Sequence, residues 1–402
     1  MIRFFRIVFF ATAVFSLRIV LSAQEAPPAQ SSIPLPTSKR LTAPAPGRIG
    51  STNSFPATIA ISPNGRYAAL LNDGYGTQET LGTQSIAVLD LKTNRLADYP
   101  DKRFGENAHQ SYFLGLVFGS DGKHLYASVG SITDPSGEKE GDTGNGIAVY
   151  KFHGGRVEAE RFIPIGPQAL AAEKKVSIEL RKTPAGTAIP YPAGLALVGG
   201  GHQGSHHDQL LVANNLSDNV VLLDVASGKM MQSFDLSTNR LVPASFPYAV
   251  AVTRDGRRAW CSLWNGSQVV ELDLTDGKVL RWIKLEEPDD PIAPGSHPTA
   301  MLLSPDEKLL YVALSNADAV AVVSTETAQM VALLNTKIKG QEFAGTYPSA
   351  LAESADGKRL FVADASSNAV AVFDTSAEPK PVGDEVATLL PLGFIPTDWY
   401  PS

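Results

Sequence analysis

Tyr347-Pro348-Ser349-Ala350-Leu351-Ala352 leads through Ala355-Asp356-Gly357-Lys358 into Leu360-Phe361-Val362-Ala363-Asp364. The same pattern stands one unit earlier as His297-Pro298-Thr299-Ala300-Met301-Leu302, Ser304-Pro305-Asp306 and Leu310-Tyr311-Val312-Ala313-Leu314. Before that, Phe246-Pro247-Tyr248-Ala249-Val250-Ala251 opens another copy. Pro247, Pro298 and Pro348 are 51 and 50 residues apart. A period of this size marks a propeller or solenoid rather than a two-layer domain. Each unit reads as four short strands. In the last one, Ser349–Ser354 and Arg359–Ala363 flank a tight Asp356-Gly357 turn, Ala369–Asp374 alternates through Val370 and Val372, and residues 386–394 make the fourth strand.

Working outward, Asp364 aligns with Leu314, Leu263 and Asn214, and Asp374 with Ser324, Asp273 and Asp224. Earlier units open at Phe55-Pro56, near Tyr112 and at Tyr191-Pro192. The expected fold is therefore all-β: a propeller of four-stranded blades, six of them complete in residues 55–398. Trp399-Tyr400-Pro401-Ser402 reads as the start of a seventh that is cut off, which leaves blades one and six each with an uncovered face. Runs such as Val220-Val221-Leu222-Leu223 are apolar on both faces, as stacked blades require.

Residues 1–23 read as a secretory signal. Arg3 and Arg6 precede an apolar run from Ile7 to Leu21, and Ser22-Ala23 supplies small residues for cleavage. The expected location is periplasmic or secreted, with no membrane span after cleavage; Arg18 within the run argues against an anchor. Residues 24–54 hold Pro/Ala-rich stretches that read as a tether, part of it offering an outer strand. The net charge of −7 and the absence of a basic stripe exclude nucleic acid as an expected partner. Cys261 is the single cysteine and has no disulfide partner.

Leu211-Val212-Ala213-Asn214, Tyr311-Val312-Ala313-Leu314 and Phe361-Val362-Ala363-Asp364 resemble the signature of the YVTN β-propeller family, of the YncE-like kind. Ser304-Pro305-Asp306-Glu307-Lys308 resembles its Ser-Pro-Asp-Gly-Lys turn. The stretch Leu392-Gly393-Phe394-Ile395-Pro396-Thr397-Asp398-Trp399-Tyr400-Pro401 is similar to the junction in bacterial two-part proteins, where an exported YncE-like propeller precedes a phosphoesterase of the alkaline phosphatase superfamily. The resemblance covers residues 33–402. It implies an exported recognition or scaffold half whose catalytic domain is absent, so none of the phosphoesterase chemistry transfers to a residue here.

Few residues carry chemistry by pattern. Gly199-Gly200-Gly201-His202-Gln203-Gly204-Ser205-His206-His207-Asp208 replaces a two-residue turn; His202, His206, His207 and Asp208 suit zinc or copper, but a lengthened solvent loop is the preferred reading, and no cofactor is expected. Glu138–Gly146 reads as a charged hairpin tip in preference to a calcium loop. Asn72, Asp73, Asn214, Asn215, Asp218, Asn219, Asn265, Asn316, Asp318 and Asp364 cluster at the turns between second and third strands, where Asn and Asp are ordinary turn formers. Trp264 has no turn-forming purpose, so Trp264, Asn265, Asn214, Asn316 and Asp364 are the candidate ligand patch. The aromatic openers Phe55, Tyr112, Tyr191, Phe246, Tyr347 and Tyr400 read as packing between blades. With no Gly-x-Ser-x-Gly elbow and no Cys-x-x-Cys-His, the leading expectation is a non-catalytic propeller that binds an unknown ligand or partner. The alternative is a propeller enzyme such as a lactonase, with its site at the channel mouth.

Overall fold

A computed structural model describes residues 33–34, 40–41, 52–53, 55–74, 84–104, 108–177, 183–199, 207–285, 295–377, 379, 386–397 and 401. The signal segment, most of the tether, His202, His206, Trp399 and Tyr400 lie outside the described residues.

The repeats fold as six antiparallel sheets, each laid down in chain order from an innermost to an outermost strand. The innermost strands are Pro56–Ile61, Ser111–Phe118, Pro192–Val198, Pro247–Val252, Pro298–Leu303 and Pro348–Glu353. Each packs against the next along the series. Blade 5 carries a fifth strand, Ala387–Leu389, paired in parallel with its edge strand Met330–Asn335. This corrects the expected fourth strand of blade 6. The stretch around 386–394 divides between blade 5's edge and Gly393–Pro396, which pairs with Ala369–Asp374.

Five of the six blades, all but blade 2, start the same way. Phe55, Tyr191, Phe246, His297 and Tyr347 each precede the opening proline, and all have left-handed backbones, with φ between 49° and 56°. This conformation is costly for a bulky side chain. It is held by the residue that follows the second strand: Asp73, Asn215, Trp264, Ser315 and Ala365 each donate a backbone N–H to the opener's carbonyl at 3.0–3.1 Å. In blades 3 and 5 a buried turn carboxylate adds to this. Asp218 accepts the N–H groups of Ala244, Ser245 and Phe246, and Asp318 those of Gly345 and Thr346. These two turn residues therefore hold the start of the next blade. Every inner strand then carries a register shift just after its opening residues, which re-aims its side chains.

The core lies between blades rather than inside any one of them. Separate apolar clusters fill the 1–2, 2–3, 3–4, 4–5 and 5–6 interfaces. Hydroxyls tie blades 1, 4 and 5 each to the inner strand of the next: Thr58 Oγ1 donates to Leu114 O (2.6 Å), Ser262 Oγ to Thr299 O (2.9 Å) and Ser315 Oγ to Pro348 O (2.9 Å). Ser349 Oγ continues the series to Pro401 O at 3.2 Å, so Pro401 stands where a next inner strand starts. No comparable packing joins blade 6 to blade 1 among the described residues. The burial pattern follows. In blade 5 the strand Leu309–Leu314 is buried on both faces after its first residue. In blade 6, Leu360, Val362 and Asp364 are buried while Phe361 and Ala363 are only half-buried. On blade 1, Ile59 and Ile61 are 52% and 55% exposed.

Candidate functional site

A four-stranded meander places the residue before its first strand and the turn between its second and third strands at one end of the blade. The blade openers and these turns therefore share one end of the ring, the inlet face, and the tight Asp-Gly turns share the other. The five residues of the expected ligand patch do not form a patch on it. Asn214 and Asp364 are fully buried. Asn214 Nδ2 donates to Asn219 Oδ1 (3.1 Å), and Asn219 passes its own amide to Gln168 and Ser233. As the last residue of a second strand, each has a side chain directed into the sheet stack, which a turn-based reading does not register. Asn265 and Asn316 are exposed, and Asn265 Nδ2 ties back to Ala244 O at 2.9 Å.

Trp264 is half-buried rather than an exposed apolar surface. Its indole stacks on His297, with centroids 4.0 Å apart and planes tilted by 30°, and it meets Phe246 edge-on at 6.2 Å. The arrangement follows from the repeat. Trp264 occupies the position that bonds its own blade's opener, Phe246, and its ring reaches across to His297, the opener of the next blade. Partial burial pushes the His297 pKa below its ordinary value, so the imidazole is held neutral around pH 7.

A second cluster joins blades 1 to 4. Tyr191 lies against Gly130, where an added Cβ would come within 2.7 Å of the ring. Phe113 packs edge-on against both Tyr191 (5.3 Å) and Tyr248 (6.4 Å). Beside them the Asp73 carboxyl is pushed up to about 8 by burial, with Oδ1 enclosed and unpartnered; burial raises the Tyr191 pKa, the Ser111 hydroxyl opposes this, and the Asp73 charge adds to it. Phe113 and Tyr248 escape a sequence reading because both look like inner-strand apolar positions. A third feature also escaped it: His109 Nδ1 lies 2.8 Å from Asp142 Oδ2.

The opposite face carries His207 and Asp208, the described end of the His-rich loop. His207 is exposed, and Asp208 accepts both the N–H (2.9 Å) and the hydroxyl (2.5 Å) of Ser120 from blade 2. Asp208 is thus a clasp between blades. Among the described residues no group of three or more His, Cys, Asp or Glu side chains is arranged to hold a metal ion.

A family model described as "Lactonase, 7-bladed beta-propeller" matches residues 203–389, from blade 3 into the added strand of blade 5. No curated protein matches the chain. Among solved structures, the periplasmic gluconolactonase PpgL of Pseudomonas aeruginosa is similar, with a TM-score of 0.59 and 17% identity over 88% of this chain and 89% of that one. A candidate 6-phosphogluconolactonase from Bacteroides fragilis has a TM-score of 0.55 at 15% identity, over 89% and 91% of the two chains. Hydrazine synthase of Kuenenia stuttgartiensis is alike to the same degree, with a TM-score of 0.55 and 14% identity over 89% and 91%. The structural likeness is therefore one of fold, since unrelated chemistries share it.

Proposed function

We propose that this propeller is an enzyme that opens a cyclic ester, a lactone of the sugar-acid type, at its inlet face. The lactonase propeller match over residues 203–389 supports this reading over a non-catalytic scaffold, and nothing in the comparisons supports a tie to a phosphoesterase. The observation on this chain that carries it is the Trp264–His297 wall, which lies inside the matched stretch. An indole face suits the C–H face of a sugar ring, and a neutral imidazole can both accept and donate hydrogen bonds to ring hydroxyls. In the reaction, water adds to the lactone carbonyl, the ring C–O bond breaks, and the proton taken from water returns to the departing alkoxide.

The test is a pH-stat assay of purified protein against a panel of aldonolactones, with the spontaneous rate subtracted. Hydrolysis above that rate is expected. His297→Ala and Trp264→Ala should each raise KM by roughly tenfold or more, as loss of a central aromatic anchor does. No turnover of any lactone, with folded protein, would return the assignment to a binding scaffold.

A further inference from the structure

Where blades 3 to 6 turn between second and third strands in a few residues, blade 2 spends 131–145, and this loop is anchored throughout. Ser131 N–H donates to Asn145 Oδ1 (2.7 Å) and Asn145 Nδ2 returns to Ser131 O (3.2 Å), closing its neck. Asp134 accepts the N–H groups of Glu138 and Lys139 (3.0 and 2.9 Å). Gln110 Oε1 takes Thr143 N–H, Thr143 Oγ1 and Gly144 N–H. Gly137 and Gly144 both have φ near +70°, and a Cβ on either would come within 2.6 Å of the facing loop backbone. This is a folded unit, not the charged hairpin tip expected from its composition.

What the loop presents is Asp142. Its side chain is 5% exposed, and it meets His109, whose side chain is 37% exposed. Oδ2 is 2.8 Å from His109 Nδ1, and Oδ1 accepts the His109 backbone N–H at 3.4 Å. Ser131 Oγ fixes the same residue by donating to its carbonyl. A carboxylate only accepts, so Nδ1 carries the proton and Nε2 is the basic nitrogen. No described group bonds Nε2. His109 lies two residues before the inner strand of blade 2, on the inlet face. Carboxylate, oriented imidazole and open nitrogen are the parts of a general base.

We propose that His109, positioned by Asp142, is the base that activates water at this face. For its substrate this rests on the lactone reading; for its chemistry it does not. Nε2 takes a proton from water as the oxygen adds to the ester carbonyl. The imidazolium, stabilised by Asp142, then gives that proton to the ring oxygen as the C–O bond breaks.

Two measurements test it. The first needs no turnover: diethyl pyrocarbonate is added to the full chain at pH 7 and each histidine's acylation is followed by mass spectrometry. His109 should react several-fold faster than the exposed His153, and in Asp142→Asn it should fall to the His153 rate or below. A wild-type His109 no faster than His153 overturns the proposal. In the second, His109→Ala should lose ~10²-fold in kcat on any lactone turned over, with KM within threefold, and added imidazole should restore part of the rate. Loss without imidazole rescue, at an unchanged melting temperature, also overturns it. If no lactone is turned over but His109 shows the fast, Asp142-dependent acylation, the lactone reading fails and the dyad stands.

Discussion

Asp364→Asn is expected to stabilise the protein, increasingly so as pH rises. Asp364 is fully buried, and neither carboxyl oxygen has a partner that meets hydrogen-bond geometry. Its pKa is pushed up to about 9 from 3.8; burial drives this, the Thr336 hydroxyl opposes it, and the Asp318 charge adds to it. A carboxyl whose pKa is higher folded than unfolded binds more protons in the native state. Its contribution is fully present below about pH 4 and is lost as pH rises toward 9. At ~1.4 kcal/mol per pKa unit, the roughly three units between 3.8 and 7 put the cost at pH 7 at about 4 kcal/mol as an upper bound. The amide removes the titration and fits the site, because Asn72 and Asn214 stand at the same register opposite Pro56 and Pro192, as Asp364 does opposite Pro348. Urea unfolding of both proteins at pH 4.5, 6, 7 and 8.5 checks this, since other titrations cancel in the difference. A difference that does not widen with pH, or a variant less stable at pH 8.5, would refute the reasoning.

Three further outcomes follow from the packing. Trp264→Ala should spare the fold, costing ~1–2 kcal/mol by denaturant titration because the indole is only half-buried; a loss of the 3–5 kcal/mol usual for a core aromatic would make it a core residue. Ile59→Lys and Ile61→Lys should change stability by less than ~0.5 kcal/mol, whereas Ile86→Ala, at 0% exposure, should cost ~2–5 kcal/mol in the same titration; equal costs would mean that the outer face of blade 1 is covered. Glu271, 1% exposed, pairs with Arg258 and Arg281, which both also reach Thr325 O on blade 5. Glu271→Gln removes the buried charge and leaves two arginines that stay partly solvated and bonded to Thr325 O, so it should cost ~1.5–3 kcal/mol, a loss that near-equal melting temperatures would contradict.

Sequence alone determined the repeat and its four-stranded propeller blades, because most blades reuse one local grammar of opener, proline, tight glycine turn and doubly apolar strands. It also singled out Trp264. The places where local grammar misled are those where a blade borrows from its neighbour. Residues 386–394 split across two sheets, since the edge of blade 5 offered unpaired backbone groups within reach. Asn214 and Asp364 have turn chemistry but end strands whose faces are stacked, so both are interior. Asp142, in a stretch of Gly, Glu and Lys, reads as solvated; only the folded loop brings it to His109, 33 residues earlier in the chain. Trp264 meets His297, also 33 residues away, because stacking neighbouring blades sets one blade's turn beside the next blade's opener. A period is a property of the chain and is legible in it. A constellation is a property of the ring, and it exists only once the blades have stacked.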